Sequence, residues 1–295
     1  LFVLGWLIRE LQASEIALWV HQQLQQMQFD GVIIYGADIT NVSGAEHLLQ
    51  LIKQYQSIPV VNMGYPLKGC PSVMFDNQAA LLDLVDYLIM QKNCKQFALL
   101  KGLQGSFDAI EREQAVLGRL SLHNMSLDED YIWQGDFQIE DAQAKLQSFL
   151  DKKLPLPDVI MCMNDQMAVG VILQLKQNGL SVPEDVLVTG YDNISTSQYI
   201  DIELTTIQNP LFNMGKKAAE VLLLMLEEQT VNSAYSVPST YYLRASTADT
   251  PIVSTHTQED AKVDLLGRGI QIRKKLSKKL PLLDLLRLAA QDIYN

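Results

Sequence analysis

Short apolar runs alternate along this chain with longer stretches in which apolar residues return every three or four positions. Residues 1–6, 31–35, 59–63, 73–75, 97–100, 131–134, 159–163, 186–189, 204–207 and 240–244 read as strands. Helical periodicity fills most of the gaps, over 15–27, 45–55, 79–90, 109–122, 140–150 and 212–227. A further helix follows Met163, with Met167, Val171 and Leu175 on one face. This is the rhythm of β-α-β units, and so many of them exceed one comfortable sheet, which predicts two α/β lobes. Val159-Ile160-Met161-Cys162-Met163 is apolar throughout, as a parallel strand covered on both faces requires. Gly179 closes a helix, and Pro183-Glu184-Asp185 turns the chain into the next strand.

Two polar residues, Asn164 and Asp165, end the apolar strand. A side-chain oxygen at this point caps the following helix, and one cap suffices. The reading favours Asp165 as the cap and leaves Asn164 to face the crevice that open parallel sheets form at their carboxyl ends; two capping residues is the alternative. Asp76-Asn77 stands in the same position before the helix at 79 and reads as a cap.

The 295 residues, 48% of them hydrophobic, are enough for two lobes and an appendage. A net charge of −11 argues against a nucleic-acid surface over the body of the chain, because phosphate binding draws on clustered Lys and Arg. Cys70, Cys94 and Cys162 form no CxxC pair, which suits a reducing compartment. No apolar run approaches the roughly 18–20 residues of a membrane span, and residues 1–6 are too short for a signal-peptide core. The chain opens on Leu1, so the sequence reads as a piece of a longer product. Beyond Asp249 its character changes. Residues 250–295 are expected to be a linker and a helical appendage, with Ile270, Ile272, Leu276 and Leu280 before Pro281, Leu282, Leu283, Leu285, Leu286 and Leu288 after it, and seven basic residues against one acid over 262–279. His21, His47, His123 and His256 lack partners at metal-ligand spacing, and no GxSxG, Walker or HExxH motif occurs. The expectation is a binding protein without metal, cofactor or catalytic residues.

The stretch VIMCMNDQMAVGVILQLKQNGLSVPEDVLVTGYDN, followed by LTTIQNP and YYLRASTAD, resembles the effector-binding region of the LacI/GalR family. Upstream, DGVIIYG, IPVVNMGYPLKGCPSVMFDN, QFALLKG and GDF stand in that family's order, so the resemblance covers about residues 1–249. It implies the type I periplasmic-binding-protein fold: two doubly wound parallel-sheet α/β lobes joined by three hinge crossovers, with a ligand cleft between them that closes on its ligand. The lobes would comprise 1–92 with 209–232, and 93–208 with 233–249. The family's DNA-binding headpiece and its opening strand and helix precede the matched region. The first lobe is therefore expected to take a central strand from residues upstream of Leu1, from another segment or from another chain. GLQGSFDAIEREQAVLGRL is similar to sensor domains found ahead of GGDEF or histidine kinase modules.

Carried over by motif position, the resemblance implies that Arg112, Asn164 and Asp192 hydrogen-bond the effector and that Phe137 packs on its ring. Guanidinium and carboxylate groups offer the forked donors and acceptors that hydroxylated ligands need. Read without the resemblance, Asp192 can also be a turn residue and Arg112 a solvated helix charge, and Phe137 is more often a core residue than a contact. Tyr35 and Tyr65, ending strands of the first lobe, are expected to line the cleft. These expectations describe a cytoplasmic, homodimeric sensor of a sugar or nucleoside, coupled to an output module and making no direct nucleic-acid contact. The alternative is an extracytoplasmic solute-binding protein of a transporter.

Overall fold

The structure is a computed structural model that describes residues 29–196, 199–247 and 252–253. The strand and helix expected over 1–27, the missing opening strand and the appendage beyond Val253 lie outside the described residues. Contacts divide the chain into two compact units. Of the described residues, the first holds those up to Met74 and Phe212–Tyr235; the second holds Phe75–Leu211 and those from Ser236 to Val253.

In the first unit, β1 (Val32–Tyr35) pairs in parallel with β2 (Val60–Met63), which pairs in parallel with β3 (Ser72–Asp76). β9 (Ala234–Pro238) completes the order β1-β2-β3-β9. Helix α1 (Gly36–Gln54) starts well before the expected Ala45 and breaks at Gly44, where φ is 80°. Val32, Ile34, Ile39, Leu48, Val60 and Cys70 form the core of this unit.

The second unit is a doubly wound sheet. The strands β4 (Phe97–Lys101), β5 (Ile132–Gln134), β6 (Val159–Cys162) and β7 (Leu187–Thr189) are parallel and ordered β5-β4-β6-β7. Helices α3 (Phe107–Leu122), α4 (Ile139–Asp151) and α5 (Asp165–Gln177) connect them in turn. Every residue of β6 is buried, as its unbroken apolar run predicts for a central strand. Helix α2 (Ala79–Met90) buries Leu81, Leu84 and Leu88 in the same core as Phe97 and Leu99 and falls in this unit. A small antiparallel sheet, β11 (Ile252–Val253), β10 (Thr240–Leu243) and β8 (Thr206–Gln208), returns the chain to it, and α6 (Leu211–Leu226) follows β8. Its end is held by hydroxyls: Ser246 Oγ donates to Val188 O at 2.7 Å and accepts from Thr205 N at 2.8 Å. Among the described residues, no helix is long and apolar enough to cross a membrane.

Candidate functional site

The order β5-β4-β6-β7 contains a switch point. The chain leaves β4 for β5 on one side and then crosses back to β6 on the other. Loops leaving the carboxyl ends of two such strands diverge, which is where doubly wound sheets hold ligands. Arg112 on α3, Phe137 after β5, Asn164 after β6 and Asp192 after β7 are all carried by this one sheet.

Arg112 is 4% exposed, so it is not the solvated helix charge that its sequence context also allowed. It lies on the inward face of α3 with Ala109, Ala115 and Val116. Its Nη1 donates to Met163 O at 2.7 Å and its Nε to Asn77 Oδ1 at 3.3 Å. The guanidinium lies 3.6 Å from the centroid of the Tyr191 ring, a cation–π stack, and Nη2 stands 3.7 Å from Asp192 Oδ1.

Asp192 has φ of 106°, and Phe137 has φ of 73°. The left-handed residues Asn93, Asn124, Lys153 and Glu228 follow helix ends, where this conformation is ordinary. Phe137 and Asp192 have no such excuse, and strain held by its surroundings gathers at functional sites. Asp192 N donates to Ile207 O at 2.7 Å, and Asn209 Nδ2 donates to Asp192 Oδ1 at 3.0 Å. A third of the Asp192 side chain stays accessible. Burial nonetheless pushes its carboxyl up to about 6; Arg112 pulls it down and Asp108 pushes it up. The half-buried ring of Phe137 occupies the space over Gly102, where an added Cβ would come within 2.3 Å of ring carbons Cε1 and Cζ.

Asn164 and Asp165 exchange the roles favoured from sequence. Asn164 is the cap: its Oδ1 accepts from Met167 N at 2.9 Å and its Nδ2 donates to Phe137 O at 3.1 Å. Asp165, fully buried, turns away to accept Thr206 Oγ1 at 2.6 Å and Ile194 N at 2.9 Å. Burial pushes its carboxyl up to about 7 against the pull of those hydrogen bonds. The two side chains differ because a carboxylate in the cap position would leave no N–H to donate to Phe137 O.

Asn77 is the residue that sequence reading undervalued. Asp76 does the capping, with Oδ1 accepting from Gln78 N and Ala79 N. Asn77, 3% exposed, ties the site together. Its oxygen accepts from Arg112 and from Tyr191 OH, the latter at 3.1 Å. Its nitrogen donates to Asp108 Oδ1 at 2.8 Å and to Glu111 Oε2 at 3.1 Å. The signal was available, since Asn77 ends a strand before a helix just as Asn164 does. Tyr35 and Tyr65 belong to the first unit. There the Tyr35 ring lies against Gly64, and Tyr65 O accepts from Asn62 Nδ2.

The periplasmic-binding-protein-like domain family matches residues 85–247, more than half of the chain. The transcriptional repressor CytR of Escherichia coli strain K12 is 32% identical over 206 residues, which cover 70% of this chain and 59% of the repressor. The repressor PurR of Vibrio vulnificus is 29% identical over 212 residues, 70% of this chain and 61% of PurR. Among solved structures, a LacI-family regulatory protein from Chloroflexus aggregans superposes with a TM-score of 0.67 at 23% identity, covering 79% of this chain and 82% of that one. The chain therefore belongs to the periplasmic-binding-protein-like domain family. It spans about three-fifths of the length of the curated relatives it matches.

Proposed function

We propose that this chain is the small-molecule-sensing part of a LacI-type regulator and that its ligand, a sugar or nucleoside, binds at the carboxyl end of the second unit's sheet. The supporting observation is the group built there: a buried Arg112 stacked on Tyr191, Asp192 beside it with part of its side chain open, and Phe137 held in a strained conformation with its carbonyl bonded by Asn164. In the cell the domain would act in the cytoplasm as a homodimer and pass its bound state to an attached output module. A thermal-shift screen against sugars and nucleosides tests the reading, because a ligand at 100 times its dissociation constant adds about 2.7 kcal/mol. Asp192→Ala should remove the ligand-induced shift. A ligand that stabilises this variant as fully as the parent chain would reject the site.

A further inference from the structure

Most donors of this sheet end already have partners among the described residues. Arg112 gives its N–H groups to Met163 O and Asn77 Oδ1 and turns Nη2 towards Asp192. Asn77 gives its amide to Asp108 and Glu111, Asn209 gives its amide to Asp192, Tyr191 gives its hydroxyl to Asn77, and Asn164 donates to Phe137 O. The neighbouring cation Lys101 is held by Glu113 at 3.0 Å.

Acceptors are in excess. Asp108, Glu111 and Asp192 are each only partly buried, and each has a second carboxylate oxygen that meets no protein donor among the described residues. Asn209 adds an amide oxygen that is buried and has no hydrogen-bond partner, on the side chain that holds Asp192. Asp192 pairs with the one guanidinium directly and Asp108 and Glu111 join it through Asn77, so the cluster carries more negative than positive charge. The carboxylates feel one another: Asp108 pushes up the carboxyls of both Asp192 and Glu111.

A phosphate or carboxylate ligand can only accept hydrogen bonds and adds negative charge to three carboxylates that one guanidinium does not balance, so it is disfavoured here. A hydroxyl can donate, but leaves the charge excess in place. An ammonium group donates three hydrogen bonds, accepts none and neutralises the excess. Resting on the reading of this sheet end as the ligand site, we propose that the site selects ligands carrying a cationic nitrogen, such as amino sugars, and rejects phosphorylated ones. Asp108 and Glu111 are the residues that set this preference.

The experiment uses the full chain and probes matched except for one group: glucosamine against glucose, galactosamine against galactose, and glucose 6-phosphate against glucose. A hydrogen bond to a charged group predicts that the amine binds roughly tenfold or more tightly than its parent sugar. The phosphate should give no shift, and Asp108→Asn or Glu111→Gln should reduce the preference for the amine. A parent sugar that binds as tightly as its amine, or a phosphate that binds at all, overturns the inference and leaves the site reading standing. A panel in which every member is silent counts against the site reading itself. A measurement without ligand then decides the charge argument: carbon-13 titration of the Asp192 carboxyl should move to lower pH in Asp108→Asn, and an unmoved titration sinks the proposal.

Discussion

At the scale of single residues, the site is built on buried ionisable groups whose acidity reports their surroundings. Asp165 is raised to about 7 by burial, from an unfolded value of about 3.9. The folded chain therefore holds this proton more tightly than the unfolded chain does. The associated stability is fully present below about pH 4 and is lost as pH rises towards 7. Asp165→Asn removes the titration, so the melting temperature of the parent chain relative to this variant should fall between those limits. A difference that stays flat with pH would show that Asp165 is ionised throughout. Arg112→Ala should cost about 2–4 kcal/mol in denaturant unfolding, since it strips Met163 O and Asn77 Oδ1 of a donor and leaves Asp192 without its countercharge. Lysine at this position should restore only part of the loss, because an ammonium lacks the planar fork that serves both acceptors while stacking on Tyr191. Much of this was legible in the sequence. The strand-end positions of Asn164 and Asp192 could be read from the motifs, and so could Phe137. The burial of Arg112 could not, because a charged residue on a helix announces no partner until Asn77 and Tyr191 arrive from distant segments. Which of Asn164 and Asp165 caps the helix was equally hidden, since it depends on Thr206 and Ile194 waiting for a carboxylate.

At the scale of elements, close helix contact separates two otherwise similar glycines. A Cβ on Gly170 of α5 would lie 2.4 Å from Ile139 O and 2.9 Å from Ala142 Cβ on α4. Gly170→Ala should therefore force the helices apart and destabilise by about 1–3 kcal/mol. Gly118, inside α3, would meet nothing within 4 Å, and alanine there should stabilise by roughly 0.5–1 kcal/mol through helix propensity alone. Urea titration of both variants checks the pair, and equal effects would deny that α4 and α5 touch at Gly170. Periodicity located most of the second unit because its strands are apolar and its helices amphipathic. It failed where burial leaves no period. The first turns of α1, over Gly36–Asn41, mix small and polar residues, and β9 is an exposed strand ending in Pro238. Neither carries a repeating apolar face for a pattern to find.

For the whole molecule, the acidic body and basic tail make separable expectations. If the Leu-rich residues 282–288 pack against a second copy, as their sequence suggests, deletion of 262–295 should leave ligand binding intact and abolish self-association. A truncated chain that light scattering still finds dimeric would put the contact on the lobes. The three cysteines have a practical consequence. Cys70, Cys94 and Cys162 are all buried, and burial pushes the Cys70 thiol up to about 11, the Cys94 thiol up to about 12 and the Cys162 thiol up further. Only thiolate reacts with maleimide, so at neutral pH the native chain should be close to inert. One new cysteine at Leu122, 74% exposed at the end of α3, should take a single fluorophore without removal of the native three. Mass spectrometry of parent and Leu122→Cys chains after brief labelling reads this directly, and a labelled parent would mean that its core opens to solvent. A chain that accepts one dye at one chosen point becomes its own optical reporter, able to register a ligand in a crude mixture before that ligand has a name.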